Sequence, residues 1–187
     1  TNISMDHEEF LGKTIKKITN EKLGITNCSE NILISKQNSN VEKIIKLKLK
    51  DKKNVFYYNK DYSFLNIEKN KFVFRFNKSK YLLNKPKILG EHQLENASTA
   101  LVASILIKNL GFKIKFDLFN KSISNTHWPG RLEMIKFNNK KLIFDGSHNV
   151  SGSEKLNIFL KQNRIKPLVL FGMLNNKKIF KFLKIIK

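Results

Sequence analysis

Apolar and polar positions recur with two different periods along this chain, and the two periods place most of its elements. Phe10, Leu11, Ile15, Ile18 and Leu23 return at helical spacing over residues 8 to 24, where Gly24 supplies a stop. "NILIS" (31 to 35) reads as a short buried strand. Over residues 41 to 50 the periods compete: "IKLKLK" alternates as a strand does, while Val41, Ile44, Ile45 and Lys48 share a helical face. "NVFYY", "YSFLNI" and "KFVFRF" are rich in aromatic and β-branched residues and predict strands, joined by the tight turns "NKD" and "EKN".

Residues 93 to 110 form the clearest helix. Leu94, Ala97, Leu101 and Ile105 make its apolar stripe, its small residues admit a closely packed neighbour, and Gly111 ends it. "DLFNKSISN" (117 to 125) predicts a shorter helix. Two apolar runs, "LEMIKF" and "KLIFD", then flank the polar turn "NNKK" as a hairpin would. A helix over 151 to 162, a strand "PLVLFGM" (167 to 173) and a closing helix follow. This final alternation of β and α predicts a parallel α/β sheet. Pro and Gly in "NTHWPG" (125 to 130) mark the expected domain seam.

Composition changes the picture in three places. The 187 residues are 41% hydrophobic, enough for one ordinary domain or two small ones, and no run reaches the roughly 18 to 20 apolar residues of a membrane span. The single cysteine, Cys28, excludes a disulfide framework within the chain, and the N-terminus has no signal-peptide pattern, so a cytoplasmic location is expected. The formal charge of +21 invites a nucleic-acid reading. All but three of the 36 basic residues are lysines scattered along the chain, however, whereas base-reading surfaces favour arginine. Neither nucleic acid nor membrane is an expected partner, and a monomer is expected. The chain starts without methionine and stops inside a helical pattern, so both ends are expected to be cut from a longer protein.

Four polar clusters could carry chemistry. "FLGKT" ends like a phosphate-binding loop, but the glycine required five residues before Gly12 is His7, and no apolar strand precedes it. "MDHEE" gathers Asp6, His7, Glu8 and Glu9, which can ligate a cation or simply begin a solvated helix. Gln93 and Asn96 in "EHQLENA" offer amides to a base edge or a phosphate, or cap a helix. "FDGSHN" sets Asp145, Ser147, His148 and Asn149 between a strand and a helix, at the kind of edge where α/β sheets bind ligands. There Asp145 can accept from a ribose hydroxyl and the helix start favours a phosphate, although a capped turn uses the same residues.

Taken in order, these segments resemble the Mur ligase superfamily, and most closely its folylpolyglutamate synthase / dihydrofolate synthase branch. "TNISMDHEEFLG" is similar to that branch's Thr-Asn-Ile-x-x-Asp-His-x-x-x-Leu-Gly segment, and "EKLGI" to its Glu-Lys-x-Gly-Ile segment. "GEHQLENASTA" resembles the His-Gln-x-x-Asn-Ala helix start, "WPGRLE" the Pro-Gly-Arg-x-Glu segment and "DGSHN" the Asp-Gly-Ala-His-Asn segment; "LFGMLNNKK" extends the likeness. Ser147 replaces the usual Ala and Val150 the usual Pro.

The resemblance implies an α/β fold: the C-terminal part of a P-loop-type central ATPase domain (1 to 126), then the start of a Rossmann-like C-terminal domain (127 to 187). It favours a helix over 41 to 51. It implies ATP and Mg²⁺ as cofactors, with His7 and a carbamylated Lys22 as metal ligands and Lys22 and His148 as catalytic residues. A plain ammonium repels Mg²⁺, whereas a carbamate supplies oxygen donors. Asn96, Arg131 and Asp145 fall on nucleotide-contacting positions. The implied partners are dihydropteroate or a reduced folate, and L-glutamate. The branch's phosphate loop is absent from the sequence, so the chain alone is expected to be inactive. The rivals are a Mur-type cell-wall peptide ligase and a basic nucleic-acid-binding module.

Overall fold

The computed structural model describes residues 1–67, 70–115 and 117–186. By internal packing they divide into two compact units: Thr1–Lys87 with Gln93–Thr126, and Ile88–His92 with His127–Lys187.

In the first unit the expected N-terminal helix is two helices, α1 (Glu8–Leu11) and α2 (Ile15–Leu23). They part at Gly12, whose φ of 96° suits glycine. A Cβ there would lie 2.9 Å from Lys17 Cδ. Thr14 then caps α2 by accepting from the Lys17 N–H at 3.2 Å. "GKT" is therefore a helix break and a cap. β1 (Asn31–Ile34) leads into α3 (Ser39–Lys48), and β2 (Asn54–Tyr57) returns parallel to β1. Residues 41 to 48 are thus helical: Asn38 accepts from the Val41 N–H at 2.9 Å, and Val41 and Ile45 bury one face.

Three antiparallel strands follow, β3 (Tyr62–Asn66), β4 (Lys71–Phe76) and β5 (Ser79–Asn84). In β4 Phe72, Phe74 and Phe76 point inward while the residues between them are more exposed, which is the period of two read from "KFVFRF". β5 was not read from the sequence. A two-residue turn, with Asn77 at φ 51°, places it against β4. Positions 68 and 69 of the expected "EKN" turn lie outside the described residues. Helices α4 (His92–Asn109) and α5 (Asp117–Asn125) complete this part of the chain.

The β1–β2 pair lies between two cores. Ile32 and Ile34 join Ile3, Ile18, Leu23, Val41, Ile45 and Leu49, with Val55 and Tyr57 packed against them. Leu33 and Phe56 face a second core of Phe72, Phe74, Phe76, Leu94, Leu101 and Val102. Tyr62 tightens that side: its buried hydroxyl donates to the Ile34 carbonyl at 3.0 Å and lies 3.1 Å from Thr99 Oγ1. Burial raises its pKa to about 12.

The second unit contains β6 (Glu133–Phe137) and β7 (Lys140–Phe144), α6 (Val150–Gln162) and α7 (Ile179–Ile186). β6 and β7 are an antiparallel hairpin whose two turn residues, Asn138 and Asn139, both have positive φ, the turn that matches strand twist. The parallel sheet expected here is not formed: among the described residues the parallel strand pair is β1–β2. Residues 167 to 173, expected as a strand, join no ladder among the described residues, and Leu168 and Leu170 stand fully exposed. An apolar run becomes a strand only where a neighbour takes up its N–H and C=O groups. The small core here is Leu132, Phe159 and Leu160, joined by Leu89, Ile143 and Leu156. No helix among the described residues is long and apolar enough to cross a membrane.

Candidate active site

In the first unit the candidate metal residues stand on the segment Thr1–His7 and on α2. His7 is the residue before α1 and holds a left-handed backbone, φ 53° and ψ 37°. A non-glycine residue in that region costs free energy and is held there by its surroundings. The Asp6 side chain helps, accepting from the His7 N–H at 2.9 Å while its other oxygen lies 3.8 Å from His7 Nε2. The imidazole remains 57% exposed. Lys22 lies in the last turn of α2 and is exposed. Among the described residues no hydrogen bond or ion pair joins His7 to Lys22, and no three His, Cys, Asp or Glu side chains gather as a metal cage.

The donor chemistry fits Mg²⁺ on one condition. An Mg²⁺ ion keeps several waters and borrows phosphate oxygens, so one or two protein oxygens suffice. Lys22 supplies such oxygens only as a carbamate.

Asn96 is exposed on the first turn of α4, where its Nδ2 donates to Gln93 Oε1 at 2.9 Å. One turn spacing brings the two amides together.

In the second unit the polar clusters at the two ends of the hairpin sequence meet, because Glu133 pairs with Phe144. Asp145 closes the junction. Its Oδ2 accepts from the Leu132 N–H and its Oδ1 from the Ser147 N–H, both at 3.0 Å. The Gly146 N–H donates to the Gly130 carbonyl at 2.7 Å, and Glu133 accepts from the Gly130 N–H at 2.8 Å. Arg131 sits between Gly130 and Leu132, both at positive φ, and stays exposed. His148 Nδ1 lies 3.0 Å from the Gly146 carbonyl. A carbonyl can only accept, so in the neutral ring Nδ1 carries the proton and Nε2 does not. Asn149 caps α6 by accepting from the Gly152 N–H at 2.8 Å. Ser147, which replaces the usual Ala, packs where a Cβ on Gly152 would come within 2.9 Å of it.

His92 is the residue whose place the sequence did not reveal, although the "HQ" pair drew attention to its segment. Burial lowers its pKa to about 4, with Lys155 and Arg131 pushing the same way and Asp145 opposing. Gly90 makes the fit possible: at φ 99°, a Cβ there would lie 2.6 Å from the His92 ring and 3.0 Å from Leu132. The signal available in sequence was the glycine two residues before the histidine.

No family model matches the chain. It is 27% identical over 174 residues to the probable dihydrofolate synthetase of Schizosaccharomyces pombe, covering 87% of this chain and 39% of that protein. It is 26% identical over 185 residues to the dihydrofolate synthase/folylpolyglutamate synthase of Bacillus subtilis, covering 95% and 43%. The solved structure of Escherichia coli FolC in complex with DHPP and ADP superposes with a TM-score of 0.77 at 21% identity, covering 100% of this chain and 43% of that one. The fold is thus that of the Mur ligases. Within them, the chain resembles the dihydrofolate synthase/folylpolyglutamate synthase branch, as its ordered motifs implied. It spans about two fifths of the length of the curated relatives it matches.

Proposed function

We propose that these residues serve an ATP-dependent ligase that adds L-glutamate to dihydropteroate, to a folylpolyglutamate or to both, through an acyl phosphate. The observation that supports it most is the junction built by Asp145, which joins the Pro-Gly-Arg and Asp-Gly-Ser-His-Asn segments within a chain similar to such enzymes over 95% of its length.

In this reading the substrate carboxylate attacks the γ-phosphorus of ATP and ADP leaves. The glutamate amine then attacks the acyl carbon and phosphate leaves. The first step brings two anions together, so positive charge must be held where they meet. Arg131 supplies a guanidinium whose carrier loop is fixed by Asp145 and Glu133. Asn96 and Asp145 contact the nucleotide. His148, its Nδ1 beside the Gly146 carbonyl, takes the proton released as the amine attacks. His7 and carbamylated Lys22 would hold Mg²⁺, which when bound lowers the charge on the phosphates. The reaction also needs a phosphate-binding loop, which "GKT", a helix break and a cap, does not supply.

Lys22→Ala tests the reading in a ligase assembled with such a loop, by glutamate-dependent ADP release. Loss of most of the activity, with partial recovery in acetate, is expected. Turnover at the unsubstituted rate would refute the assignment of Lys22.

A further inference from the structure

The segment that carries His7 is fastened by a side chain that no motif marks. Gln37 lies three residues beyond the end of β1, partly buried. Its Oε1 accepts from the Ile3 N–H at 2.9 Å, and its Nε2 donates to the Thr1 carbonyl at 2.9 Å. The same Nε2 lies 3.2 Å from both the carbonyl and the hydroxyl of Ser35, so its second proton holds the glutamine against the strand end. Between the two backbone contacts, Asn2 Nδ2 donates to the Lys36 carbonyl at 3.1 Å. Thr1–Ile3 belongs to no strand ladder among the described residues. The glutamine amide satisfies one N–H and one C=O on either side of Asn2.

From Ile3 the path to the candidate ligand is short. Ile3 is buried in the core with Ile18, Ile32 and Ile34, and Met5 packs against that core. Only Ser4, Met5 and Asp6 separate Ile3 from His7, whose left-handed backbone sets the direction of its Cα–Cβ bond.

We propose that Gln37 is a positioning residue for the metal site: it clamps Thr1–Ile3 to the end of β1 and thereby sets the place of His7. This rests on the metal role given above to His7 and Lys22. Residues that orient metal ligands change affinity when lost, without touching the ion.

The test uses the 187-residue chain in bicarbonate with Mn²⁺ as the probe. Paramagnetic broadening of the His7 ring signals is titrated, and amide exchange is followed at Ile3. Gln37→Met keeps length and volume but removes every bond. It should raise the Mn²⁺ concentration for half-broadening about tenfold and speed exchange at Ile3. Gln37→Glu keeps the acceptor for Ile3 but sets a carboxylate oxygen against the Thr1 and Ser35 carbonyls, so it too should raise the midpoint; it also serves if the Met variant folds poorly. A merely structural clamp would speed exchange and leave the Mn²⁺ midpoint unchanged, which overturns the inference. If His7 is not broadened even in the unsubstituted chain, the metal assignment itself fails.

Discussion

The two units hold their functional residues by different means. In the first, the Thr1–His7 segment and α2 are anchored in a core that also contains Ile32, Ile34, Val41 and Ile45, so burial carries most of the geometry and the Gln37 bonds trim it. In the second, few side chains are fully buried, and Met134, Ile135, Phe137 and Phe144 of the hairpin remain exposed. There the loop around Arg131 is held by polar bonds: Asp145 to two N–H groups, Glu133 to Gly130, and Gly146 to Gly130. A site can thus be kept in shape by a dense core or by carboxylates saturating backbone donors. The two should respond differently to substitution.

The largest contrast is expected from paired aromatic truncations. Phe74 is fully buried, and Phe74→Ala should destabilise the first unit by about 3–5 kcal/mol in chemical unfolding. Phe137 is 61% exposed, and Phe137→Ala should change stability by only about 0.5 kcal/mol. Equal losses would erase the distinction.

That contrast also explains what was legible in the sequence. The aromatic period of "KFVFRF" gave β4 because one face of it is buried. The continuous apolar run in "PLVLFGM" gave no strand, because no partner among the described residues receives it. Over residues 41 to 50, where "IKLKLK" alternates but a helical face competes, the helix wins, since Asn38 caps it and Val41 and Ile45 find a core. The hairpin and its polar ends were readable, because Asp, Gly and Asn have few other uses beside short apolar runs. Gln37 and His92 were not readable. Their roles depend on contacts with Thr1, Ile3 and Ser35, or with the surroundings of Leu132, which no local pattern encodes.

A smaller effect is expected at the polar junction. Asp145→Ala leaves the Leu132 and Ser147 N–H groups without their acceptor, which should cost about 1–3 kcal/mol, while the bond from Gly146 to Gly130 remains. Exchange at the Leu132 and Ser147 amides reads it directly. Unchanged protection there would mean the carboxylate does not hold the loop.

The subtlest difference is in pH dependence. In the folded second unit His92 titrates at about 4, against an ordinary 6.5. As pH falls, the unfolded chain takes up this proton first. The contribution is therefore complete above about 6.5 and lost progressively toward about 4. His92→Gln should flatten the fall in stability across that window, measured by unfolding midpoints. An unaltered slope would show that the imidazole is not kept neutral by its surroundings.

The metal assignment turns on the chemical state of one exposed lysine. A ¹³C NMR spectrum of the chain equilibrated with ¹³C-bicarbonate and Mg²⁺ examines it most directly. A carbamate carbon signal that strengthens with Mg²⁺ and vanishes in Lys22→Arg is the predicted result. A spectrum with no carbamate signal, or with one that survives the substitution unchanged, would contradict it.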